Sequence, residues 1–416
     1  MRTKFALTLL LAVSVVSLIG ATRRNTEPAP DVSPKTSQRL IVHEWGTFTN
    51  FSGSDGVQLK FRPLVDRLPG FIHKSQRLNP LTKGELLALQ RMETPVTYFY
   101  ADQPREVDVE VGFPRGLLTE FYPPATERML AELMWNTTFR DAGLAWHARL
   151  HPARERNSSR DEDNEPGRPA LPAVNDDDHY GFARETDSAI VEVTDSQGQS
   201  HHEKFLFYRG VADFSLPLRL EAAPGGQFRV TNDGAHAIDS LFLVIVNDDG
   251  LSFRQYAGVS PHGSLNMAAP DSPATTDELS DRMTEALVRA GLYVKEARAM
   301  VHTWQSSWFS EPGARLFYLL PRRLTDEILP LTVNPAPDEL VRVMVGRMEI
   351  ITPETTEALL AVIRQHGDCA SDDVAPLKHQ LARLGRFAEP ALNYLTSLQT
   401  DEAMRAMIGR VRKIAR

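Results

Sequence analysis

The sequence is short of the residues that announce chemistry. It has one cysteine, Cys369, in 416 residues. No disulfide closes within the chain, and no four-thiolate zinc site forms. Stability must come from a conventional apolar core, which a chain of this length is able to bury. Basic excess is also missing: 46 lysines and arginines stand against 54 aspartates and glutamates, for a net charge of -8. Such a balance offers little to a phosphate backbone and argues against nucleic acid as a partner. There is no HExxH, no GxSxG elbow and no glycine loop between strand and helix. Their absence removes the helical zinc-protease, serine-elbow and phosphate-cradle readings.

What is present begins at the N-terminus. Arg2 and Lys4 precede an apolar run over residues 5–21, and Arg23 and Arg24 follow it. This is the layout of a signal peptide. A cut after Ala21 puts Ile19 where a small residue is preferred, so an uncleaved anchor stays open beside cleavage. The run is at the short end for spanning a bilayer. With no cysteine in or just after it, a lipid-modified cysteine anchor is excluded. The expected location is periplasmic or secreted, with membrane contact only through an uncleaved N-terminal segment. Residues 22–39, including "NTEPAPDVSPKTSQ", form a Pro-rich linker.

From residue 40 the pattern is mostly that of strands. "LIVHEWGTFTN" opens the body as a strand that buries Trp45. Val107, Val109 and Val111 alternate with Asp108 and Glu110, the period-2 signature of a half-buried strand. Strands are also expected at residues 96–100, 118–122, 189–194, 202–209, 214–220, 227–231, 240–246, 251–256, 315–320 and 340–346, with Gly/Asp turns between several of them. Helices are expected at 83–90, where Thr82 and Glu85 have capping-box spacing, and at 126–135. The charged stretch 153–179 is expected to be an exposed loop. Residues 276–304 carry two helices, the first capped by Thr275 and Glu278 and closed by Gly291. Thr352 and Pro353 begin a helical tail, with further helices at 374–384, 390–398 and 401–414. On the last of these an apolar stripe is expected to dock, leaving a basic face to solvent.

The fold class expected is therefore α+β. A mainly antiparallel β-sandwich body, immunoglobulin-like in part, spans 40–350 with helical insertions, and a helical appendix spans 351–416.

Five segments pair an acid with aromatic neighbours: "HEWGTFT", "RMETPVTYFY", "TEFYPP", "HHEKFLFYRG" and "TWQSSWFSEPGARLFYLLPRR". The wording HEWGTFT, RMETPV, KFLFYRG and WFSEPG resembles a group of exported proteins of environmental bacteria. No activity or fold is established for that group, so the resemblance assigns no catalytic residue.

Two chemistries deserve weighing on the residues alone. A zinc site draws on His43, His202 and Glu203, with Glu44, His201 and His302 also of ligand type. At most two ligands per segment converge on a strand, so several segments must meet. The acidic run 176–178 lacks the ligand spacing of a calcium loop. Zinc or calcium is thus admissible and not expected. A glycosidase-like pair needs two carboxylates about 5–10 Å apart. Glu44 and Glu311 are the chosen pair, with Glu93 and Glu120 as further candidates. Against both stands the architectural alternative, in which His43 satisfies a buried hydrogen bond and the carboxylates pair with Arg91, Arg115, Arg209, Arg315 or Arg322. Weighed together, the residues favour an envelope-associated protein that binds or supports an envelope component or small ligand. The alternative is a secreted hydrolase of glycan or peptide using carboxylates or a metal.

Overall fold

The computed structural model describes residues 39–62, 68–75, 86–128, 142–153, 169–175, 179–366 and 374–414. The N-terminal run, nearly all of the linker, Cys369, residues 176–178 and most of the 153–179 stretch lie outside them.

Alternating apolar residues set the strands. In chain order these are β1 (Leu40–Ser52), β2 (Gln58–Leu59), β3 (His73–Lys74), β4 (Gln90–Ala101), β5 (Arg105–Phe113), β6 (Gly116–Tyr122), β7 (Thr126–Arg128) and β8 (Ala142–His151). Then come β9 (Ile190–Thr194), β10 (Ser200–Glu203), β11 (Leu206–Ala212), β12 (Leu218–Ala223), β13 (Gln227–Asn232), β14 (Ile238–Asn247), β15 (Gly250–Val259) and β16 (Ser264–Ala268). Helices α1 (Thr276–Arg289) and α2 (Val294–Phe309) lead to β17 (Gly313–Leu319), α3 (Arg322–Ile328), β18 (Leu331–Asn334) and β19 (Glu339–Ile350). The tail holds α4 (Pro353–His366), α5 (Ala375–Leu384), α6 (Ala388–Leu398) and α7 (Glu402–Ile414).

The molecule is a mixed α+β protein with a sandwich-like body. Its main sheet runs β15-β14-β17-β19-β1-β4-β11-β6-β3, with β2 alongside β1. A second sheet runs β10-β9-β8-β5-β18, and a third is β12-β13-β16. One face of the main sheet, with Val42, Phe48, Phe99 and Leu243, packs on Val109, Trp146 and Val191 of the second sheet and Leu220 and Val230 of the third. The other face, with Trp45, Tyr98, Phe317 and Val345, is covered by Leu279, Met283, Met300 and Trp308 of α1 and α2. The main sheet is therefore a middle layer, buried on both sides.

Its centre is β1, which pairs antiparallel with β4 and parallel with β19 over Ile41↔Glu339 to Ser52↔Ile350. Among the described residues this is the one parallel pair, so the body is mainly antiparallel, as expected. A parallel pair suits the middle of a covered sheet.

Local expectations met mixed outcomes. The capping box at α1 forms: Glu278 N donates to Thr275 Oγ1 at 3.1 Å and Thr275 N to Glu278 Oε2 at 2.7 Å. Gly291 follows the helix with φ +112°. The helix expected at 83–90 does not occupy its described end. Ala88 exchanges backbone hydrogen bonds with Phe61, and Gln90 already belongs to β4. The helix expected at 126–135 opens instead as β7, drawn into pairing with β8. Strands β8, β16 and β18 and the short α3 are additional to the expected elements. The strands thought immunoglobulin-like are shared between two sheets.

The tail helices pack on the body. Phe51, Phe61 and Ile351 share a core with Leu359, Leu377, Leu392, Ile408 and Val411. Tyr394 Oη meets Ser54 Oγ at 3.0 Å, and Arg62 pairs with Glu389. The last helix buries its stripe at Ile408 and Val411. Among the described residues, no helix is long and apolar enough to cross a membrane.

The glycine of "FYRG" is a packing requirement. A Cβ on Gly210 would lie 2.3 Å from the Leu117 carbonyl oxygen. Gly210→Ala should cost about 1–3 kcal/mol, the range of core overpacking. Chemical denaturation checks this: an unchanged midpoint would contradict the close approach of β6 and β11.

Candidate functional site

A strand buried on both faces must satisfy every polar side chain internally. In β1 those are His43, Glu44, Thr47, Thr49, Asn50 and Ser52, none more than 3% exposed; the side chains of Thr47 and Asn50 are the exceptions that find no hydrogen-bond partner among the described residues. Alternation sends Glu44 to the sandwich side and His43 and Trp45 to the helix side.

On the sandwich side Glu44 is enclosed. It sits opposite Arg342 on β19 and Thr97 on β4. Its Oε2 takes Arg342 Nε at 2.7 Å and lies 2.6 Å from Nη2. Its Oε1 accepts from Thr97 Oγ1 at 3.2 Å and from Tyr208 Oη. Burial first, and Glu44 next, push the Tyr208 hydroxyl well above its ordinary pKa. Burial opposes the Arg342 charge, but Glu44 and Tyr208 outweigh it, and the guanidinium titrates above its usual range. This carboxylate, expected as a catalytic candidate, is fully buried in an ion pair with Arg342.

On the helix side His43 finds Glu296 of α2, with Nδ1 2.8 Å from Oε2, and both side chains are fully buried. Glu296 also accepts from Tyr100 Oη and from the Tyr293 backbone N–H, each at 2.7 Å. The Tyr293 ring lies 4.4 Å from that of His43. The proposed metal trio is not assembled. Glu203 is buried against Arg184, at 3.0 Å from Nε and 2.7 Å from Nη2, with Tyr180 Oη at 3.1 Å. His202, on the other face of β10, is 3.8 Å from Glu192 and beside the His151 ring. Strand alternation forces that divergence. Among the described residues, no three His, Cys, Asp or Glu side chains are grouped to hold a metal ion.

Further along the helix side the acid–aromatic segments do converge. Between Trp45↔Val96 and Thr47↔Glu93 the register slips, so β4 carries one extra residue. Thr94 there adopts φ +42°, which a β-branched residue rarely does. Gly46 lies against it, where a Cβ would be 3.0 Å from Pro95 Cα. The bulge inverts the alternation of β4, as bulges do. Met92 goes to the sandwich, and Arg91 and Glu93 turn to the helix side.

There they join a charged cluster drawn from five strands. Thr49 Oγ1 donates to Glu93 at 2.7 Å, and Arg91 Nε is 3.1 Å from Glu93. Arg209 Nε donates to Glu120 at 2.7 Å. Glu349 accepts from Arg315 Nε at 3.1 Å, Arg347 Nε at 2.5 Å and Arg386 Nη2. Glu311, in the turn after α2, reaches Arg386 Nε at 2.8 Å and Arg347 Nη2 at 3.6 Å. Burial, partly offset by Glu93, brings Arg209 down to about 10. Burial also lowers Arg91, with Glu93 opposing and the Arg209 and Arg347 charges adding to the effect. Glu311 alone in the group is substantially exposed, at 43% of its side chain. Burial nevertheless lifts its carboxyl above the usual range, and Glu349 adds to that against the pull of Arg347.

Glu44 and Glu311 thus lie on opposite faces of one sheet and do not form a pair. The segments that sequence reasoning singled out meet mainly through their arginines. Arg347 and Glu349 had no signal beyond charge inside an apolar strand. Glu296 sits in a helix with nothing in its neighbouring residues to mark it as buried.

No protein-family model matches the chain, and no curated protein matches it. Among solved structures it is similar to the mu homology domain of Fcho1 from Danio rerio with bound Eps15 peptide. That match has 8% identity and a TM-score of 0.28, covering 75% of this chain and 97% of that one. It is also similar to the yeast delta-COP-I mu-homology domain complexed with a Dsl1 WxWxV peptide. There the identity is 9% and the TM-score 0.26, over 75% and 96% of the two chains. The likeness is slight, and nothing is transferred from it.

Two carboxylates should respond oppositely to amidation. Glu44→Gln leaves the buried Arg342 with only the part-exposed Asp326, 2.8 Å from Nη1, as counter-charge and should cost about 3 kcal/mol, the lower end for breaking a buried pair. Glu311 has a raised pKa. Its contribution to stability is fully present below the unfolded value of about 4.3 and is lost as pH rises through the folded value. Glu311→Gln should therefore melt no lower than the parent at pH 7, and any advantage should shrink as pH falls toward 4. Thermal melts across that range check both, and a large loss in Glu311→Gln at pH 7 would contradict the reading.

Proposed function

We propose that the protein is an exported, envelope-associated binding protein rather than an enzyme. The N-terminal charge and apolar pattern supports export. The absence of catalytic chemistry is inferred from one observation above all: the carboxylates of the acid–aromatic segments are engaged by arginines. Glu44 is held by Arg342, Glu93 by Arg91, Glu120 by Arg209 and Glu203 by Arg184. A carboxylate held in this way has its oxygens occupied by a guanidinium and is not aimed at a ligand. The same arrangement supports a rigid frame beneath an exposed edge, which is what a binding site requires.

The hydrolase reading keeps one residue. Glu311 is half-exposed, carries a raised pKa, and feels the Glu93 carboxylate in the same cluster. Those are attributes of a general acid.

Fractionation of the native host and mass spectrometry of the N-terminus test the first half of the proposal. The expected result is protein in the envelope fraction, either cut after the apolar run or tethered by it. A soluble cytosolic protein with its leader intact would sink the export reading. For the second half, purified protein is incubated with peptidoglycan and with casein. No release of soluble fragments is expected. Release that disappears in folded Glu311→Gln would establish the hydrolase instead.

A further inference from the structure

The Glu311 carboxylate occupies a place made for an anion, and it is held there loosely. The backbone of its turn is pinned: Arg315 Nη1 donates to the Trp308 carbonyl at 2.7 Å, and Nη2 to those of Glu311 at 2.8 Å and Pro312 at 3.3 Å. Its side chain is not. Oε2 lies close to Arg386 Nε and Arg347 Nη2, yet Oε2 and Arg386 Nε both lack an aligned hydrogen bond. Charges in contact without aligned donors give up the geometric part of an arginine–carboxylate interaction.

Behind Glu311 the charge is uneven. Glu349 is fully buried and already serves three guanidiniums, those of Arg315, Arg347 and Arg386. Arg347 is itself fully buried and fixed by Ser307, with Nη1 to Oγ at 3.1 Å and Nη2 to the carbonyl at 2.7 Å. Arg386 is only 12% exposed. If the Glu311 side chain turns outward, these three arginines and one carboxylate keep two net positive charges at a surface opening. Planar guanidiniums held rigid in this manner are suited to oxyanions.

We propose that Arg347 and Arg386 form a receptor for an oxyanion group, a carboxylate or a phosphate, carried by the ligand, and that Glu311 is a built-in placeholder that the ligand displaces. The assignment rests on the binding reading above and names its ligand class. The pinned turn keeps the site in shape while one side chain rotates.

Calorimetry on the full chain tests it, titrating inorganic phosphate and, separately, acetate, with chloride at matched ionic strength as control. Glu311→Gln should bind one of the two at least tenfold more tightly than the parent. Preference for phosphate or for acetate identifies the group. Adding Arg386→Lys should abolish the gain, and thermal melts establish that each variant is folded. Equal affinity in parent and Glu311→Gln overturns the proposal, as does a gain that survives Arg386→Lys. An envelope fraction that binds the parent and the double variant alike would also overturn this site, while leaving the binding reading intact.

Discussion

The structure turns on β1 being covered on both faces. A central strand with the sandwich on one side and helices on the other has no solvent route for its polar groups. Leaving any of them unpaired costs about 1–3 kcal/mol, and more for a charge. His43, Glu44 and Thr49 each find a dedicated partner, while Thr47 and Asn50 are left without one among the described residues, and the partners come from distant parts of the chain: Glu296, Arg342 and Glu93. The parallel pairing with β19 supplies one of them directly, because register places Arg342 beside Glu44. Closing that pair requires β1 and a strand some three hundred residues later to meet, a long-range contact of the kind that slows folding.

The layer arrangement also partitions the chemistry. One sheet separates Glu44 from Glu311, so residues that look equivalent in the sequence belong to different environments. Side-chain alternation decides the face, and two irregularities adjust it. The bulge at Thr94 moves Arg91 and Glu93 to the helix side. The shift beside Gly210 lets β11 follow β4 and β6 at once. The glycines of "HEWG" and "YRG" and the proline of "METP" therefore serve the geometry of the cluster rather than its chemistry.

Much of this was legible in the residues, and the failures have physical causes. Capping chemistry is local, so α1 and the tail helices could be read from Thr275, Glu278, Thr352 and Pro353. Alternation is local too, and it correctly put His43 and Trp45 opposite Glu44. The pairing of an acid with an arginine was legible in kind, and Arg91, Arg209 and Arg315 were among the expected partners. Arg342 and Arg347 were hidden in "ELVRVMVGRMEI", where they look like solvent-facing alternates of a half-buried strand; the second layer that buries them is a tertiary fact. The same limit changed the start of the helix expected at 126–135, since pairing with β8 over residues 126–128 overrides intrinsic preference. Strand β8 did carry a readable signal, with Leu144, Trp146, Ala148 and Leu150 alternating against His147, Arg149 and His151.

The contrast between Glu311 and its neighbours bears on why so much charge is buried. Interior ion networks are seldom more stabilising than well-packed apolar residues of the same volume. Five arginines and three enclosed glutamates are thus a poor way to gain stability alone. They are a good way to hold guanidinium planes at fixed positions, because each hydrogen bond constrains both direction and distance. Four of those arginines hold their planes against enclosed carboxylates. Arg386 stands at the boundary, shared between the enclosed Glu349 and the exposed Glu311. Fixed cations at an opening, met by a carboxylate whose own burial raises its pKa, make an arrangement in which the carboxylate is the least anchored partner. The frame is rigid where it is enclosed and yields at one side chain, and that side chain is where a ligand would have to enter.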